Sequence, residues 1–168
     1  MEGANLKALE YLKKSLKIQV RIGNKSGEGT ILNNISQIYS ARGDLPKALE
    51  YLEKSLEIIV AIDDKLGEGA ILNNISQIYK ARGDLPKALK YLKKSLKIRV
   101  AIGDKSGEGT TLNNIAIAYH SKGDLSRALD YLKKTLKIIV AIGDKRQEGR
   151  ILNNISQIYN AKVIYQKR

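Results

Sequence analysis

The sequence has no cysteine, no tryptophan and no phenylalanine, and it has only two prolines. Without cysteine, the chain has no thiol nucleophile, no disulfide bond and no cysteine-ligated metal site. Because tyrosine is the only bulky aromatic residue, the core must be built from leucine, isoleucine, valine and alanine. These absences predict an aliphatic core and exclude every function that depends on thiol chemistry.

Long apolar runs are also absent. No segment approaches the ~20 consecutive apolar residues that a membrane-spanning helix needs. The first residues, MEGANLKALE, lack the features of a signal peptide. We therefore expect a soluble, cytoplasmic protein that does not bind membranes. The length of 168 residues fits one domain of ordinary size with a sizeable core.

The net charge of +13 raises the question of nucleic-acid binding. The charge is uneven, because residues 31–70 carry 4 basic and 7 acidic groups, whereas residues 71–110 carry 9 basic and 3 acidic groups. An acidic segment between basic neighbours argues against a continuous track for nucleic acid. We expect such binding only as a non-specific interaction at low salt.

The glycine-rich segment IGDKSGEGT, which starts at Ile102, has the composition of a phosphate-binding loop. Related segments start at Ile22, Ile62 and Ile142, so their spacing is 40 residues (62 − 22, 102 − 62, 142 − 102). A phosphate-binding loop of this kind needs a lysine directly before its hydroxyl residue, and glycine occupies that place in every copy. It must also follow a strand, whereas the preceding residues have helical periodicity. We interpret the segment as a turn within a repeat and expect no cofactor.

Each repeat has the pattern of two helices. In ILNNISQIYSARGD, helical spacing relates the apolar residues Leu32, Ile35, Ile38 and Tyr39. Gly43 suits a left-handed cap at the end of this helix, and Asp44 suits the amino-terminal cap of the next. In LPKALEYLEKSLEIIVAI, a second apolar stripe consists of Leu45, Ala48, Leu49, Leu52, Leu56 and Ile59. Such a hairpin buries both of its faces only when neighbouring repeats stack on it.

The unit resembles the tetratricopeptide repeat. The matching positions are the apolar, small and aromatic residues of the first helix, the Gly-Asp turn and the close contacts of the second helix: Leu32, Ile35, Ser36, Ile38, Tyr39, Gly43, Asp44, Ala48, Leu52 and Ser55. The same set recurs between Leu72 and Ser95 and, with minor changes, between Leu112 and Thr135. The resemblance implies an all-α fold, namely a right-handed superhelical solenoid of tandem antiparallel helix pairs with about eight helices.

Two departures from the usual repeat are evident. The period exceeds the family's usual ~34 residues, and valine (Val60, Val100 and Val140) replaces the proline that usually ends the second helix. Both features resemble the longer repeats of kinesin light chains, which carry a similar LNN segment in the first helix.

The repeat also predicts how the single solenoid of residues 1–168 divides. Full units are expected at about 26–65, 66–105 and 106–145, with a second-type helix in residues 1–25 and a first-type helix in residues 146–168. On the first half-unit, an apolar stripe that needs a partner consists of Leu6, Leu9, Leu12 and Leu16. One hypothesis is head-to-tail association, in which the last helix of one molecule completes a unit with the first helix of the next. An excised or engineered array is the alternative.

In solenoids of this family the first helices line a concave groove, which implies a set of candidate peptide-binding residues. They are Thr30, Asn33, Asn34 and Gln37, then Ala70, Asn73, Asn74 and Gln77, then Thr110, Asn113, Asn114 and Ile117, and finally Arg150, Asn153, Asn154 and Gln157. Asparagine is a mediocre helix former, so a pair in every first helix needs a reason. Either the carboxamides bind the backbone of an extended peptide, or they bond to a neighbouring helix or to water.

Two other binding modes receive less support. Asn33, Asn73 and Asn113 stand where the family's carboxylate-binding members need a first lysine, so we do not expect that mode. Lysines of the second helices are interrupted by Glu50, Glu53 and Glu57, a pattern typical of a solvated face. The alternative for that face is an acidic partner or nucleic acid. Specific base recognition is not expected, because the repeated tyrosines occupy core-facing positions of the family.

The residues give no indication of catalysis. No paired carboxylates, nucleophile–base arrangement or metal-ligand cluster recurs in the repeats. The single histidine, His120, stands where the other copies have Ser40, Lys80 and Asn160, so we expect it to be exposed and without a catalytic role. We expect a protein that is not an enzyme.

The leading hypothesis is a protein-interaction scaffold that binds an extended peptide of an unidentified protein partner in the concave groove. The first alternative is a structural or self-assembling array without a dedicated ligand. The second is electrostatic binding of nucleic acid or an acidic protein.

Overall fold

The computed structural model describes the backbone of residues 2–166 and the side chains of residues 5–163. Within that range the chain forms eight α-helices and no strand. The helices are α1 (Glu2–Arg21), α2 (Lys25–Ala41), α3 (Leu45–Ala61), α4 (Lys65–Ala81), α5 (Leu85–Ala101), α6 (Lys105–Ser121), α7 (Leu125–Ile142) and α8 (Lys145–Gln166). The all-α fold expected from the repeat is confirmed. None of the described helices has the length and apolar character needed to cross a bilayer.

The turns between helices follow the predicted cap chemistry. Gly43 has a φ of 78° after α2, and Asp44 Oδ1 accepts a hydrogen bond from the Lys47 N–H at 3.2 Å at the start of α3. The glycine-rich segment is likewise a turn followed by a helix. Asp104 Oδ1 accepts from the Gly107 N–H at 2.9 Å and caps α6, so the later glycines of the segment lie within a helix.

The helices pack as a row of hairpins, in which α2 lies against α3, α4 against α5 and α6 against α7. Each second helix also contacts the first helix of the next hairpin, so that α3 packs on α4, α5 on α6 and α7 on α8, and α1 packs on α2 in the same way. Contacts between neighbours along a row are the arrangement of a helical solenoid. The boundaries of the individual units stay a prediction, and residues 1 and 167–168 of the two half-units lie outside the described backbone.

The core consists of the aliphatic stripes that the repeat predicted. Ile35 of α2 and Leu52 of α3 are almost fully buried, and so are the residues at the same positions in the following repeats, Ile75, Leu92, Ile115 and Leu132. On α1, Leu9 is buried in the same cluster as Ile35. Leu12 and Leu16 pack against this cluster, whereas Leu6 is exposed. Most of the apolar stripe on α1 therefore finds its partner in α2.

Small residues allow α2 and α3 to approach closely. The buried Ser55 hydroxyl donates a hydrogen bond to the carbonyl oxygen of Gly29 at 2.7 Å. A side chain at Gly29 would place its Cβ 2.8 Å from Ile59 Cδ1. Ser95 makes the equivalent bond to the carbonyl oxygen of Gly69, also at 2.7 Å. The same pair of small residues thus sets the spacing of the helices in successive hairpins.

The repeated tyrosines differ in burial. Tyr39 and Tyr119 are buried and Tyr79 is half-buried. Each of the three stacks on the tyrosine of the following helix, with centroid separations of 5.4 Å to Tyr51, 5.4 Å to Tyr91 and 5.5 Å to Tyr131. The prediction of a core position is wrong for Tyr159, which is exposed. Among the described side chains Tyr159 has no such partner ring to cover it.

Candidate functional site

Pockets open between first helices at two places along one face of the solenoid. One pocket opens between α2 and α4, and two open between α6 and α8. We call the face formed by α2, α4, α6 and α8 the first-helix groove. Residues from each of the four sets of candidate residues lie at these pockets.

The paired asparagines form a ladder of hydrogen bonds across this groove. Asn74 Nδ2 donates to Asn33 Oδ1 at 2.9 Å between α2 and α4. Asn114 Nδ2 donates to Asn73 Oδ1 at 2.8 Å between α4 and α6. All four side chains are half-buried. The bond to a neighbouring helix, which was one of the roles considered for these asparagines, is therefore present at two junctions. Each bond uses one end of each carboxamide and leaves the other end available.

The ladder is interrupted between α6 and α8. By the same spacing Asn154 should donate to Asn113 Oδ1, but that oxygen is buried and has no hydrogen-bond partner among the described residues. A pocket of about 340 Å³ opens at this point, with Thr110, Asn114 and Arg150 on its walls. An acceptor without a donor, next to an exposed guanidinium, distinguishes this junction from the two others.

Two further pockets occupy equivalent places in the groove. The pocket between α2 and α4 has a volume of about 290 Å³ and is lined by Ser36, Gln37, Ser40, Ala41, Leu52, Asn74, Gln77 and Ile78. The pocket between α6 and α8 has a volume of about 160 Å³ and is lined by Ala116, Ile117, His120, Leu132, Asn154, Gln157 and Ile158. A leucine of the second helix forms the floor of each pocket, and amide side chains form the rim. In the second pocket, Ala116 and Ile117 stand where the first has Ser36 and Gln37.

The junction between α4 and α6 differs in charge. Lys80 stands in the place of Ser40 and His120, and its side chain is half-buried. Within residues 5–163 it makes no ion pair, unlike the lysines near the starts of the first helices, which pair with a glutamate three residues later. Lys80 and Arg150 are therefore cations available to a ligand in an otherwise neutral groove.

The remaining candidate residues lie at the edges of the groove. The hydroxyl groups of Thr30 and Thr110 donate to carbonyl oxygens of the preceding helical turn, at 3.0 and 3.1 Å. The exposed members of the set are Thr30, Gln37, Thr110, Arg150, Asn153 and Gln157, whereas the others, including Asn34, Ala70, Gln77 and Ile117, are half-buried. The structure thus brings Asn33 with Asn74, Asn73 with Asn114, and Thr110 with Arg150. It leaves Thr30, Asn34, Ala70 and Asn153 outside the linings of these pockets.

Sequence reasoning missed some of the residues that form these pockets. His120 is exposed as expected, but it lines the smaller pocket. Ser40 and Lys80 were expected to be exposed because their position varies, and they are half-buried instead. The available signal was their distance of three residues from Gln37 and Gln77, which puts them on the same helical face. No group of three histidine, aspartate or glutamate residues in the described part of the chain could hold a metal ion.

The tetratricopeptide repeat family model matches residues 2–59 and 67–139 of the sequence, while no curated protein matches it. Among solved structures, BtubC (BKLC) from P. vanneervenii is 20% identical with a TM-score of 0.86, and the match covers 99% of this chain and 69% of that chain. A STAND signal-transduction ATPase with a tetratricopeptide repeat sensor from Pyrococcus horikoshii is 26% identical with a TM-score of 0.81. That match covers 92% of this chain and only 24% of the ATPase.

A third solved structure matches the predicted subclass. It is a putative kinesin light chain from Podosopora anserina with nearly identical TPR-like repeats, 16% identical with a TM-score of 0.66, and the match covers 96% of this chain and 90% of that chain. At this level of identity the likeness concerns the fold alone. The family model covers most of the sequence, and the structure is a row of helical hairpins with the predicted caps and small-residue contacts. The chain belongs to the tetratricopeptide repeat family.

Proposed function

We propose that the chain is a protein-interaction scaffold, not an enzyme, and that its first-helix groove binds an extended peptide segment of another protein in the cytoplasm. The observation that carries the proposal is the pair of pockets with a leucine floor, one between α2 and α4 and one between α6 and α8. Each combines an apolar floor with amide groups that are not fully used within the chain. An extended peptide offers both kinds of group, because its side chains alternate with backbone N–H and C=O groups.

The spacing of the junctions suits an extended chain. Packed helices lie about 8–10 Å apart, and an extended peptide advances about 3.3 Å per residue. Roughly every third residue of a bound peptide would therefore meet a new junction. The free Nδ2 of Asn33 and the free Oδ1 of Asn74 would be a donor and an acceptor for its backbone between these points.

The junctions differ in chemistry, which gives the groove a basis for specificity. The α2–α4 junction presents Gln37 and Gln77 and suits a polar side chain. The α4–α6 junction presents the unpaired amine of Lys80 and suits a carboxylate. The α6–α8 junction presents Ile117 and suits an apolar side chain. We infer a ligand motif with an acidic residue and an apolar residue about three positions apart.

The test is selection of an unbiased peptide-display library against the wild-type chain at near-physiological salt. Enriched peptides are then measured on Lys80→Ser and Ile117→Gln, two changes that copy residues already present at equivalent positions in this chain. We expect Lys80→Ser to weaken binding of acidic peptides by about tenfold, since a charge-assisted hydrogen bond is lost. Ile117→Gln should weaken binding of peptides with the apolar residue by a similar factor.

Matched substitutions outside the groove serve as controls. Lys90→Ser removes an exposed lysine from the other side of the hairpin and should leave affinity unchanged. The proposal is wrong if no peptide is enriched, or if the enriched peptides bind both groove variants as tightly as the wild type.

Self-association is a second candidate, favoured by exposed apolar residues on α8. Leu152, Tyr159 and Val163 are 48%, 47% and 50% exposed, and a helix from a second copy would cover them. Light scattering over a wide range of concentrations tests this candidate, with Leu152→Ser as the variant that should reduce assembly. A monomer at every concentration would exclude it.

A further inference from the structure

A second cleft lies outside the first-helix groove, where α3, α4 and α5 meet. Its volume is about 560 Å³. The apolar part of its lining consists of Leu56, Leu72, Ile98, Ala101 and Ile102, and the polar part consists of Lys65, Glu68, Lys94 and Lys97. None of these residues belongs to the candidate peptide-binding set. The cleft is therefore a separate feature of the surface.

Exposed apolar residues continue the surface of the cleft. Val100 and Ile102, at the end of α5, are 51% and 41% exposed. Single apolar residues on a surface are ordinary, but here the exposed Ile102 belongs to the lining of the recess, and the exposed Val100 lies two residues before it. Contiguous apolar surface with a polar rim is typical of a binding site for another macromolecule.

The charges at the rim are not balanced. Lys65 is neutralised by Asp63 and Glu68, each at 3.0 Å. Lys94 lies over the ring of Tyr91, 5.7 Å from its centroid, and neither Lys94 nor Lys97 pairs with a carboxylate among the described residues. The recess thus presents two amines without counter-charges beside an aliphatic floor.

The preceding repeat has the same apolar residue types with a different rim. Leu16, Leu32, Ile58 and Ile62 stand in the places of Leu56, Leu72, Ile98 and Ile102. Lys54 already pairs with Glu50 at 2.6 Å, and Glu57 stands in the place of Lys97. The apolar character is therefore shared between the repeats, whereas the unbalanced positive rim distinguishes the cleft between α3 and α5 from its counterpart in the preceding repeat. The following repeat has the same residue types at the equivalent positions, including Lys134 and Lys137 at the rim.

We propose that this cleft is a second protein-binding site, which takes an apolar side chain from an acidic segment of a partner protein. The aliphatic floor binds the apolar side chain, and Lys94 and Lys97 bind carboxylates on either side of it. A nucleic acid would match the charge but not the floor, since single-stranded binding relies on aromatic side chains on which bases stack. The described lining contains no aromatic side chain, and the ring beneath Lys94, that of Tyr91, already stacks on Tyr79.

The test compares two charge reversals. Lys94→Glu/Lys97→Glu changes the rim of the cleft, and Lys13→Glu/Lys17→Glu, at exposed residues of α1, makes the same change in net charge outside it. A fluorophore on Val60→Cys, the only thiol in that variant, reports occupancy from α3, since the exposed Val60 lies one helical turn after Leu56 of the lining. A peptide-display library is selected on the wild type, and enriched peptides are titrated against each labelled variant at near-physiological salt.

We expect a class of acidic peptides that share one apolar residue. Their affinity should fall at least about tenfold on the cleft variant and by less than about twofold on the control variant. Replacing the apolar residue of the peptide with serine should cause a loss similar to that of the cleft variant. These peptides should also be insensitive to Lys80→Ser, which tells them apart from ligands of the first-helix groove.

Three results would overturn the proposal. The first is equal loss of affinity on the two charge-reversal variants, and the second is equal binding of the serine-substituted peptide or of single-stranded DNA. Either result would show that Lys94 and Lys97 act only through the overall positive electrostatic field of the protein surface. The third is a selection that yields no acidic peptide with an apolar residue.

Discussion

Asn74 and Asn33, which are 41 residues apart in sequence, are joined by a hydrogen bond of 2.9 Å from Nδ2 to Oδ1. This bond links two first helices that belong to different hairpins. It therefore contributes to the stacking of repeats, on which the stability of a solenoid depends. The same contact recurs between Asn114 and Asn73 and is missing at Asn113. Junctions with and without the hydrogen bond can therefore be compared within one chain.

Asn74→Ala should destabilise the fold relative to Asn154→Ala. The first change removes a donor and leaves Asn33 Oδ1 half-buried without a partner, whereas the second removes a side chain that makes no such bond. Because alanine is the better helix former at both positions, the informative quantity is the difference between the two variants. We expect about 1 kcal/mol in the free energy of unfolding, measured with urea. Equal effects would show that the ladder contributes nothing to stacking.

The sequence predicted the fold more completely than the site. The caps at Gly43 and Asp44 and the buried stripe through Leu52 follow from local rules, so they could be read from a single repeat. The choice between a bond to a neighbouring helix and a free carboxamide at Asn74 depends on how two hairpins stack. That geometry arises from the sum of many contacts, and no local pattern contains it.

The pockets of the groove were missed for a related reason. Lys80 varies between repeats, and variation was taken as a sign of exposure. In the structure its position is half-buried because two first helices flank it. Variation at a position that faces a neighbouring helix is compatible with differences in ligand specificity, which sequence periodicity alone does not distinguish from solvent exposure.

Breaking the ion pair of Arg99 and Asp104 should be costly. Arg99 occupies the place of the buried Ile59 and Ile139, and the side chains of the pair are only 11% and 16% exposed. The Nε of Arg99 is buried without a partner among the described residues. Asp104→Ala would leave this guanidinium without its counter-charge and would also remove the cap of α6. We expect a loss of about 3 kcal/mol in the free energy of unfolding.

Two further variants separate the contribution of the helix cap from that of the ion pair. Asp64→Ala removes the equivalent cap of α4, a 2.9 Å bond from the Gly67 N–H, without an arginine nearby, and should cost about 1 kcal/mol. Arg99→Ile introduces the residue type of Ile59 and Ile139. Because Asp64 and Asp144 cap their helices beside these isoleucines without an arginine, the change should be neutral or stabilising. Similar losses for the two cap variants would mean that the ion pair adds nothing.

The turn after α3 should be improved by glycine. Asp63 has a φ of 57°, and glycine stands at the equivalent positions Gly23, Gly103 and Gly143, where φ is also positive. Left-handed backbone costs a residue with a side chain about 1 kcal/mol. The ion pair of Asp63 with Lys65 is largely solvent-exposed and contributes little. Asp63→Gly should therefore raise the free energy of unfolding slightly, and Asp63→Ala should lower it. The reverse order in urea unfolding would contradict this account of the turn.

Acid should weaken the caps of the second helices. The backbone N–H of Lys47 holds the pKa of Asp44 below its usual value, and the N–H of Lys87 does the same for the pKa of Asp84. A carboxylate whose folded pKa is depressed stabilises the fold above its unfolded pKa of about 3.9. This stabilisation is lost as the pH falls through the lower folded value. The urea midpoint should therefore decline as the pH falls below about 4.

Asparagine at these caps should reduce that decline. Asn24 shows that a neutral carboxamide caps a helix in this chain, because its Oδ1 accepts from the Gly27 N–H at 3.1 Å. Asp44→Asn/Asp84→Asn keeps the acceptor and removes the titrating group, so the midpoint should vary less with pH in the acid range. Glu53→Gln, at an exposed residue, is the control and should retain the wild-type dependence. If the double variant retains it too, carboxylates other than these two caps determine the acid sensitivity of the solenoid.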